Sequence, residues 1–441
     1  MTDLITRKPS DWDIKNLEDI ATFITKGATP TTYGFEWVEE SSDSIPFLRS
    51  ECVTANGFNR KGMNFISQKA HVTMGRSKIK SGDILMTITG NIGRIATLPD
   101  EIQEANINQH IAKISVIDGV SSSYVAQALQ QERYNRYYER ILTGQAYPQI
   151  SLKQVRETPI LLPPHPEQQK IAEVLSTVDK KIDLIDQKIA ETEKLKTGLM
   201  QKLFSEGVGV QGENGEWQPH TEFQYESLLG KKPKSWQTET LGNVLDIASS
   251  KRIKREEYVN EGVPFYRSKE IILKSKQLSF TSEIFISRER FDKLSEKFGS
   301  PQQGDILISA VGTIGAIYRV RDEEFYFKDG NLLWIRNIDK SRLSSEFLEC
   351  YFRSYLCQEM LANLSAGSSQ NALTIVKLSK LPLIIPTKDE QKMIVSIISS
   401  INEKIYLLKA QKSETQQLKK GLMQKLLTGE WRVPLKENEA A

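Results

Sequence analysis

The stretch that decides the fold runs from Glu167 to Phe204 and reads EQQKIAEVLSTVDKKIDLIDQKIAETEKLKTGLMQKLF. Its apolar residues recur in steps of four and three, which places them on one stripe of a long helix. The residues of this stripe are Ile171, Leu175, Val178, Ile182, Ile185 and Ile189. At about 1.5 Å per residue, a continuous helix of this length would span roughly 57 Å. An apolar stripe of this kind predicts a partner helix.

The same pattern returns near the C-terminus, from Asp389 to Leu427. Its stripe consists of Ile394, Ile398, Ile401, Ile405 and Leu408. Both copies end in Gly-Leu-Met-Gln-Lys-Leu, at 198–203 and 421–426, and the two hexapeptides lie 223 positions apart (421 minus 198). Six consecutive identities at one separation indicate a duplicated unit. The partner of each helix is therefore predicted to be the other copy.

The segments that precede the two helices also repeat. Each opens with a tryptophan, Trp12 or Trp236, and each contains Gly-Asp-Ile-Leu, at 82–85 and 304–307. The apolar run continues in both copies through a Gly-x-Ile-Gly turn, which predicts a β-hairpin. Further strands are predicted at 106–114, 329–335, 160–162 and 383–385, with helical segments at 124–141 and 345–361.

Prolines close each apolar strand before its long helix, and because proline cannot continue a helix they mark a boundary. The predicted fold class is α+β, with two mostly-β domains and two long helices. The predicted boundaries are a first domain at 1–164, a first helix at 165–206, a linker at 207–234, a second domain at 235–386, a second helix at 387–428 and a tail at 429–441.

Composition sets broad limits on the class of protein. The chain has 441 residues, of which 39% are hydrophobic, which suits two to four folded domains. No run approaches the roughly 20 apolar residues of a membrane span, and the N-terminus lacks the apolar core of a secretory leader. We therefore expect a cytoplasmic protein. The formal net charge of +3 is compatible with nucleic-acid binding but does not require it.

The sequence offers no metal-ligand pattern. Cys52, Cys350 and Cys357 lack the close pairing of zinc ligands, and the four histidines are scattered. We therefore expect neither a bound metal nor a structural disulfide.

Taken in order, these motifs resemble one known family, the specificity subunits of type I restriction–modification enzymes. The resemblance rests on the proline-bounded strands, the Glu167-Gln168-Gln169 start of the helix, Gly-Asp-Ile-Leu and the Gly-Leu-Met-Gln-Lys-Leu helix end. It covers the chain from about Trp12 to Leu427. It implies two target-recognition domains in pseudo-twofold repeat, separated by two long antiparallel coiled-coil helices.

The resemblance also implies a function and a set of partners. Each domain would read one half of a bipartite site in double-stranded DNA, and the helices would set the number of unread base pairs. The partners would be two methyltransferase subunits acting on adenine N6 and, in some complexes, restriction subunits. S-adenosylmethionine, ATP and Mg2+ would be bound by those partners, so no cofactor is expected on this chain.

The chain itself lacks the motifs of catalysis. No Asn/Asp-Pro-Pro-aromatic string is present, since Leu162-Pro163-Pro164-His165 has no acceptor for the target amine, and no phosphate-binding Gly-rich loop is present. A non-catalytic DNA-binding subunit is therefore predicted. Two alternatives remain open at this point: a coiled-coil adaptor whose β domains bind protein, and a self-sufficient methyltransferase.

Several groups of side chains are candidates for DNA contact. Cationic, hydroxyl-rich loops would hold phosphates, or would be ordinary solvated surface; they contain Lys26, Thr29, Thr31, Thr32, Lys251, Arg252, Lys254 and Arg255. Arg49 and Arg267 follow matching strands and would read guanine through a bidentate fork, or form salt bridges.

The two Gly-x-Ile-Gly turns match in frame but differ in side chain, which two domains reading different half-sites would need. Their candidates are Asn91, Arg94 and Thr313, with an ordinary hairpin as the alternative. Two polar loops would contact adenine or phosphate, or lie at a domain edge; they contain Gln145, Tyr147, Gln149, Ser368, Ser369, Gln370 and Asn371.

Apolar residues at the two helix ends are candidates for contact with the methyltransferase partners, because exposed Leu and Met favour packing against another protein. These are Leu199, Met200, Leu203, Leu422, Met423 and Leu426.

Overall fold

The computed structural model describes residues 4–5, 8–143, 148–328, 330–366 and 372–434. The chain forms two compact units. Unit 1 comprises Met1–Asp186 and Ala410–Ala441, and unit 2 comprises Gln187–Lys409. The predicted boundaries follow the order of the chain, whereas the compact units divide each long helix between them.

The helices are, in chain order, α1 Gln68–Thr73, α2 Ser122–Leu129, α3 Glu132–Ile141, α4 Leu152–Arg156, α5 His165–Ser205, α6 Ser268–Ser275, α7 Arg288–Phe298, α8 Ser345–Arg353, α9 Tyr355–Ala366, α10 Ile375–Ser379 and α11 Lys388–Leu426. The two long helices, α5 and α11, agree with the heptad stretches to within two residues. The helical segments predicted at 124–141 and 345–361 are each a pair of helices, α2 with α3 and α8 with α9.

The strands of unit 1 are β1 Asp13–Asn16, β2 Ala21–Lys26, β3 Ser44–Leu48, β4 Val53–Thr54, β5 Gly57–Phe58, β6 Asn64–Ser67, β7 Lys78–Lys80, β8 Ile84–Thr87, β9 Ile95–Thr97, β10 Glu104–Ile107, β11 Ile111–Val116 and β12 Pro159–Leu162. They form sheets in the orders β2-β11-β8-β9 and β6-β3-β10-β7, with small pairs β1-β12 and β4-β5.

The strands of unit 2 are β13 Val210–Gln211, β14 Trp217–Gln218, β15 Phe223–Glu226, β16 Gly230–Pro233, β17 Gln237–Thr240, β18 Asp246–Ala248, β19 Tyr258–Val259, β20 Val263–Tyr266, β21 Phe285–Ile286, β22 Ile306–Ser309, β23 Ile317–Arg319, β24 Tyr326–Phe327, β25 Leu332–Arg336 and β26 Pro382–Ile385. The order β18-β25-β22-β23 repeats the first sheet of unit 1, and β17-β26 repeats β1-β12. The α+β class and the internal repeat are therefore confirmed.

The Gly-Asp-Ile-Leu strands lie at the centre of each unit. In β8, Ile84 and Met86 pack towards the helices, and Leu85 packs into a second core against the other sheet. In β22, Ile306 and Leu307 divide in the same way between two cores. A strand that is buried on both faces needs apolar residues at consecutive positions, which explains why this motif recurs.

The hairpins predicted from the repeat are present as β8-β9 and β22-β23, both antiparallel. The single strand predicted at 106–114 is wrong, whereas the strand predicted at 329–335 is present as β25 with a later start. Asn108 to His110 interrupt the first of these segments, so that β10 and β11 belong to different sheets. The second begins only at Leu332.

The predicted helix stripes are buried in part. Their residues are buried except for the half-buried Val178, Ile182, Ile401 and Leu408. In unit 1, Ile171 and Leu175 of α5 lie in the domain core. Further along, Lys419 of α11 lies 2.6 Å from Asp179 of α5, and Lys412 lies 2.6 Å from Asp186. Because the numbers rise on one helix as they fall on the other, the helices are antiparallel.

Unit 2 repeats this arrangement with the other halves of the same helices. Ile394 and Ile398 of α11 lie in its core, and Lys409 of α11 lies 2.8 Å from Glu193 of α5.

The segment 207–234, predicted as a linker, is folded. It forms two antiparallel hairpins, β13-β14 and β15-β16. Lys232 in the second hairpin is 1% exposed; its ammonium donates to the carbonyl of Trp236 at 2.8 Å and lies 3.3 Å from Glu226. Backbone pairing and this buried lysine make the segment part of unit 2.

Candidate nucleic-acid interface

In unit 1, three strand ends meet at one edge of the sheet. β2 ends at Lys26, which pairs with Ala112 of β11, and β8 ends at Thr87, which pairs with Ile111. The loops that leave this edge carry the predicted residues of the first cationic loop and of the Gly-x-Ile-Gly turn. The structure thus brings two separate sequence candidates together.

The turn after β8 is built around one hydroxyl group. Thr87 Oγ1 donates to the carbonyl of Asn91 and accepts from the N–H of Arg94 at 3.0 Å. The N–H of Gly93 donates to the carbonyl of Thr87 at 2.9 Å. Gly90 and Gly93 have φ values of 70° and 76°, which L side chains rarely adopt. The frame leaves the Asn91 side chain exposed and that of Arg94 half-buried.

Unit 2 has the same frame on Ser309. Its hydroxyl donates to the carbonyl of Thr313 at 2.5 Å and accepts from the N–H of Ala316 at 2.9 Å. The N–H of Gly315 donates to the carbonyl of Ser309 at 2.9 Å. The exposed side chains on this turn are those of Val311 and Thr313.

The two turns therefore share a backbone and differ in what they present. Asn91 is replaced by Thr313, and Arg94 by Ala316. Sequence reasoning identified these differing positions but missed the hydroxyl residues, Thr87 and Ser309, that hold both frames. A hydroxyl at the same place in both copies was the available signal.

The loop after β2 runs against the neighbouring sheet. A Cβ at Gly27 would lie 1.8 Å from the carbonyl oxygen of Ile107, so only glycine fits there. The Thr29 hydroxyl is engaged, since it donates to Gln109 Oε1 at 2.7 Å. Thr31 and Thr32 are exposed on a single helical turn.

A chain of polar side chains links this loop to the turn. Gln109 Nε2 lies 3.1 Å from His110 Nε2, and His110 Nδ1 lies 2.6 Å from Thr89 Oγ1. With the contact from Thr29 to Gln109, these residues connect the two loops across the sheet edge. Sequence reasoning missed Gln109 and His110, because both were assigned to the interior of a predicted strand.

The cationic loop of unit 2 leaves the matching edge, after β18. Ile253 is 3% exposed and anchors the loop, while the cations on either side of it point to solvent. Lys251 Nζ lies 4.7 Å from the ring centre of Phe298, and Lys254 Nζ lies 3.3 Å from Glu256. The exposed cations are Lys251, Arg252, Lys254 and Arg255.

The two predicted arginines directly follow their strands, β3 and β20. Both side chains are already bound to other groups of the protein. Arg267 binds Glu270 at 2.7 Å and Glu283 at 2.9 Å. Hydrogen bonds from Lys269 and Arg267 hold the pKa of Glu283 below its ordinary value.

Arg49 donates to the carbonyl of Gly62 at 3.2 Å and lies 3.6 Å from Glu51. The salt-bridge alternative is therefore what the structure shows for both arginines, and reading guanine would require these bonds to break.

The polar loops are described only in part. Gln149 is exposed, and its backbone exchanges hydrogen bonds of 3.0 and 3.1 Å with Thr143. The N–H of Ile150 donates to the carbonyl of Ile88 at 2.9 Å, which places this segment beside the turn. The other candidates of these loops lie outside the described residues: Gln145, Tyr147, Ser368, Ser369, Gln370 and Asn371.

The helix ends are more buried than predicted. Met200 and Leu203 are 8% and 5% exposed in the core of unit 2, and Leu426 is 5% exposed in the core of unit 1. The expectation of an exposed apolar end is wrong for these residues, because the repeated hexapeptide closes a domain core. Leu199, Leu422 and Met423 are half-buried, and their contact with a partner stays a prediction.

Among the described residues, no helix is both long and apolar enough to cross a membrane. Within the same ranges, no group of three or more His, Cys, Asp or Glu side chains is placed to hold a metal ion.

Comparison with known families decides the assignment. Residues 9–194 and 233–417 each match the type I restriction modification DNA specificity domain. The chain belongs to this family. Members of the type I specificity family recognise DNA and are not themselves catalytic, so the adaptor alternative is not favoured. Membership implies assembly with other subunits of a restriction–modification complex.

Individual relatives agree with this assignment. The chain is 27% identical over 436 residues to the type I restriction enzyme MjaIX specificity subunit of Methanocaldococcus jannaschii, covering 97% of this chain and 95% of that protein. It is 26% identical over 441 residues to the MjaVIII specificity subunit of the same organism, covering 97% and 94%.

Solved structures share the fold. A chain from a study of complex assembly and conformational transition of the type I restriction–modification system has a TM-score of 0.58 at 19% identity, with 96% of this chain and 100% of that chain covered. The type I restriction–modification S subunit from M. genitalium gives 0.54 at 17% identity, with 99% and 100% covered.

Proposed function

We propose that this chain reads a bipartite site in double-stranded DNA, with one half-site recognised by each domain. In this proposal, the end of the sheet that carries the Gly-x-Ile-Gly turn of each unit contacts the DNA. The cationic loops hold phosphates, which fix the orientation of the protein on the duplex, and the side chains on the turns contact base edges.

One observation carries the proposal: the same turn frame presents different side chains in the two units. Thr87 and Ser309 hold equivalent backbones, so the fold does not require the difference between Asn91 and Thr313 or between Arg94 and Ala316. An amide and a guanidinium pair with adenine and guanine edges respectively, whereas a threonine offers a methyl and a hydroxyl. Two readers with one frame and different side chains would recognise two different half-sites.

The proposed partners are two methyltransferase subunits, with restriction subunits in those complexes that cut DNA. The methyltransferases would transfer a methyl group from S-adenosylmethionine to adenine N6, and ATP and Mg2+ would serve the restriction subunits. This chain would select the site at which they act. We propose that the complex acts on its DNA in the cytoplasm.

The test is selection from a randomised duplex pool by the complex of this chain with its methyltransferase partners. We expect enrichment of a split motif. Asn91→Ala with Arg94→Ala should alter the preference in one half of the motif only, and Thr313→Ala should alter the other half only. Enrichment of no motif by the unmodified complex would reject the proposal, and loss of both halves in either folded variant would reject the assignment of one half to each domain.

The hydroxyl that holds the turn of the first unit offers a second test, with a threonine elsewhere in the unit as its control. Thr87→Val removes the hydroxyl that holds the turn without changing any exposed side chain, so it should weaken the same half-site as the Asn91 variant. Thr73→Val, on an exposed hydroxyl of α1, should leave both half-sites unchanged.

A further inference from the structure

A groove of about 940 Å³ lies in unit 1 between α3 and the C-terminal part of α11. We call it the arginine groove because α3 contributes three arginines to its lining. Its cations are Arg133, Arg136, Arg140, Lys419 and Lys420, against two acids, Glu132 and Glu139.

Part of this charge is already balanced. Glu132 forms a salt bridge with Arg136 and lies 3.5 Å from Lys420. Lys419 is paired with Asp179 at 2.6 Å.

Within the part of the chain that the structure describes, no carboxylate balances the remaining charge, although the Arg133 guanidinium lies 5.3 Å from the ring centre of Tyr134. Across the described ranges, neither Arg133 nor Arg140 has a carboxylate within salt-bridge distance, and Arg133 Nε is buried without a hydrogen-bond partner. Arg133 makes one long hydrogen bond, 3.4 Å from its terminal nitrogen to the carbonyl of Leu427. Arg133 is half-buried and lines the groove, so an anionic ligand there would compensate the charge of its guanidinium.

The internal repeat shows that the fold does not need these arginines. α3 and α9 are equivalent helices: Tyr134 and Cys357 are both 0% exposed at matching positions, 223 residues apart (357 minus 134). At the same separation, α9 has Leu356, Glu359 and Asn363 where α3 has its three arginines.

The two helices also pack alike against the turns. A Cβ at Gly93 would lie 3.3 Å from Asn135 Oδ1 of α3, and one at Gly315 would lie 2.9 Å from Gln358 Oε1 of α9. One helix therefore carries three cations where its structural equivalent carries none.

The groove is continuous with the proposed DNA-reading turn. Asn135 both approaches Gly93 of the turn and lines the groove. A ligand that contacts Asn91 and Arg94 would reach the groove by passing over this residue. The groove therefore begins where the proposed base contacts end.

The lining suits a nucleic acid better than a protein. Apart from the charged residues it consists mainly of amide and hydroxyl side chains, including Gln130, Gln416 and Thr428, and only Leu4 and Met423 are apolar. Interfaces with DNA are more polar and much more positive than those between proteins, and such side chains are the usual partners of phosphate oxygens.

We propose that the arginine groove binds the phosphate backbone of DNA next to the half-site of the first domain, without reading sequence. The second domain lacks this contact. The inference rests on the proposed function, and it predicts that affinity and sequence preference can be separated in the first domain.

The test uses Arg136→Gln with Arg140→Gln, both at exposed positions, in the complex with the methyltransferase partners. Binding of a duplex with the selected motif and of one without it is measured from about 50 to 200 mM salt. Each lost phosphate contact should make the negative slope of log K against log salt shallower by about 0.9. At 0.1 M salt this corresponds to a roughly eightfold weaker affinity. Both duplexes should weaken equally, and the split motif should be unchanged.

Lys69→Gln with Arg76→Gln is the matched control, because it removes the same charge from exposed positions outside the groove. It should leave the salt slope unchanged. An unchanged slope in the groove variant, with the split motif retained, would overturn this inference and leave the proposed function intact. If the groove variant failed to assemble with the methyltransferase, the inference of DNA binding would be overturned, and the groove would instead be a binding site for the methyltransferase. Absence of any motif with the unmodified complex would instead reject the proposed function itself.

Discussion

The indole N–H of Trp12 donates to the carboxylate of Glu167 at 2.9 Å, and this bond ties the start of the first domain to the start of α5. Trp236 and Glu390 repeat the bond in unit 2 at 2.7 Å, at the start of α11. Both carboxylates are 1% exposed. A buried carboxylate needs its hydrogen bonds, so each pair fixes where a long helix leaves its domain.

Replacing either tryptophan by phenylalanine should destabilise its own unit. Trp12→Phe and Trp236→Phe each keep an aromatic ring but remove the donor, which should lower the free energy of unfolding by about 1–3 kcal/mol. Urea unfolding measures the change. Trp431→Phe, at a side chain that is 55% exposed, should stay within about 0.5 kcal/mol. A Trp12 variant as stable as the Trp431 variant would contradict the proposed role.

Arg432 should stabilise unit 1 through the same carboxylate. Its guanidinium donates to Glu167 at 2.7 and 2.8 Å and to Asp11 at 3.0 and 2.6 Å. Arg432→Gln should lower the free energy of unfolding of unit 1 by about 1–3 kcal/mol, because it leaves Glu167 with fewer donors. Arg432→Lys should recover only part of the lost stability, because an ammonium group cannot form a bidentate contact with a carboxylate.

Titration gives a second readout of this contact. The hydrogen bond from Arg432 holds the pKa of Asp11 below its ordinary value. A lowered pKa contributes stability above the unfolded value that is lost as the pH falls. In Arg432→Gln the pKa of Asp11, followed by NMR, should rise towards its ordinary value. An unmoved titration would show that the contact is not formed in solution.

The two aspartates of Gly-Asp-Ile-Leu should respond in opposite ways to conversion to asparagine. Asp83 lies 3.2 Å from Lys113, and both side chains are largely buried. Asp83→Asn leaves the lysine without its carboxylate and should cost about 3–5 kcal/mol. Thermal or urea unfolding of unit 1 measures this loss.

Asp305 instead accepts from Trp334 Nε1 at 2.8 Å and from the N–H of Gln302 at 2.9 Å, both on one oxygen. Burial raises its pKa, against the lowering effect of these bonds and of the charges of Arg336 and Lys340. A raised pKa means that folding favours the protonated form, so the ionised group opposes stability as the pH rises through the folded pKa. Asp305→Asn should therefore stabilise unit 2 at neutral pH, and the gain should vanish below the ordinary pKa of aspartate. A gain that did not change with pH would contradict this explanation.

The helix register in unit 1 should depend on the pair between Lys419 and Asp179. Lys419→Glu should destabilise by about 1 kcal/mol, because it replaces a partly exposed attraction with a repulsion. It also adds charge near Asp183, whose pKa is already raised, chiefly by burial. Adding Asp179→Lys should restore only part of the loss, since Gln127 donates to Asp179 at 2.8 Å. Lys181→Glu, at an exposed position of α5, is the control, and equal losses in the two single variants would count against the pairing.

The periodic and repeated patterns of the chain were enough to predict its architecture. The stripe from Ile171 to Ile189 and its copy predicted two long helices that pair with each other, because heptad spacing leaves one buried face. The antiparallel direction of the pair was implied only by the family resemblance. The glycines at 90 and 93, with their counterparts at 312 and 315, fixed the hairpins. These patterns are local or periodic, and a single chain displays them in full.

Local patterns did not show which side chains are free to act, because that depends on long-range packing. Arg267 belongs to a recurring motif, yet its guanidinium is bound by Glu270 and by Glu283, which lies 16 residues further along the chain. Met200 reads as an exposed helix end, yet it closes a core. The hydroxyl of Thr87 and the arginine groove became visible only when strands and helices far apart in the chain met. Burial and pairing depend on long-range packing, and that is why periodicity located the domains while three-dimensional contacts located the candidate site.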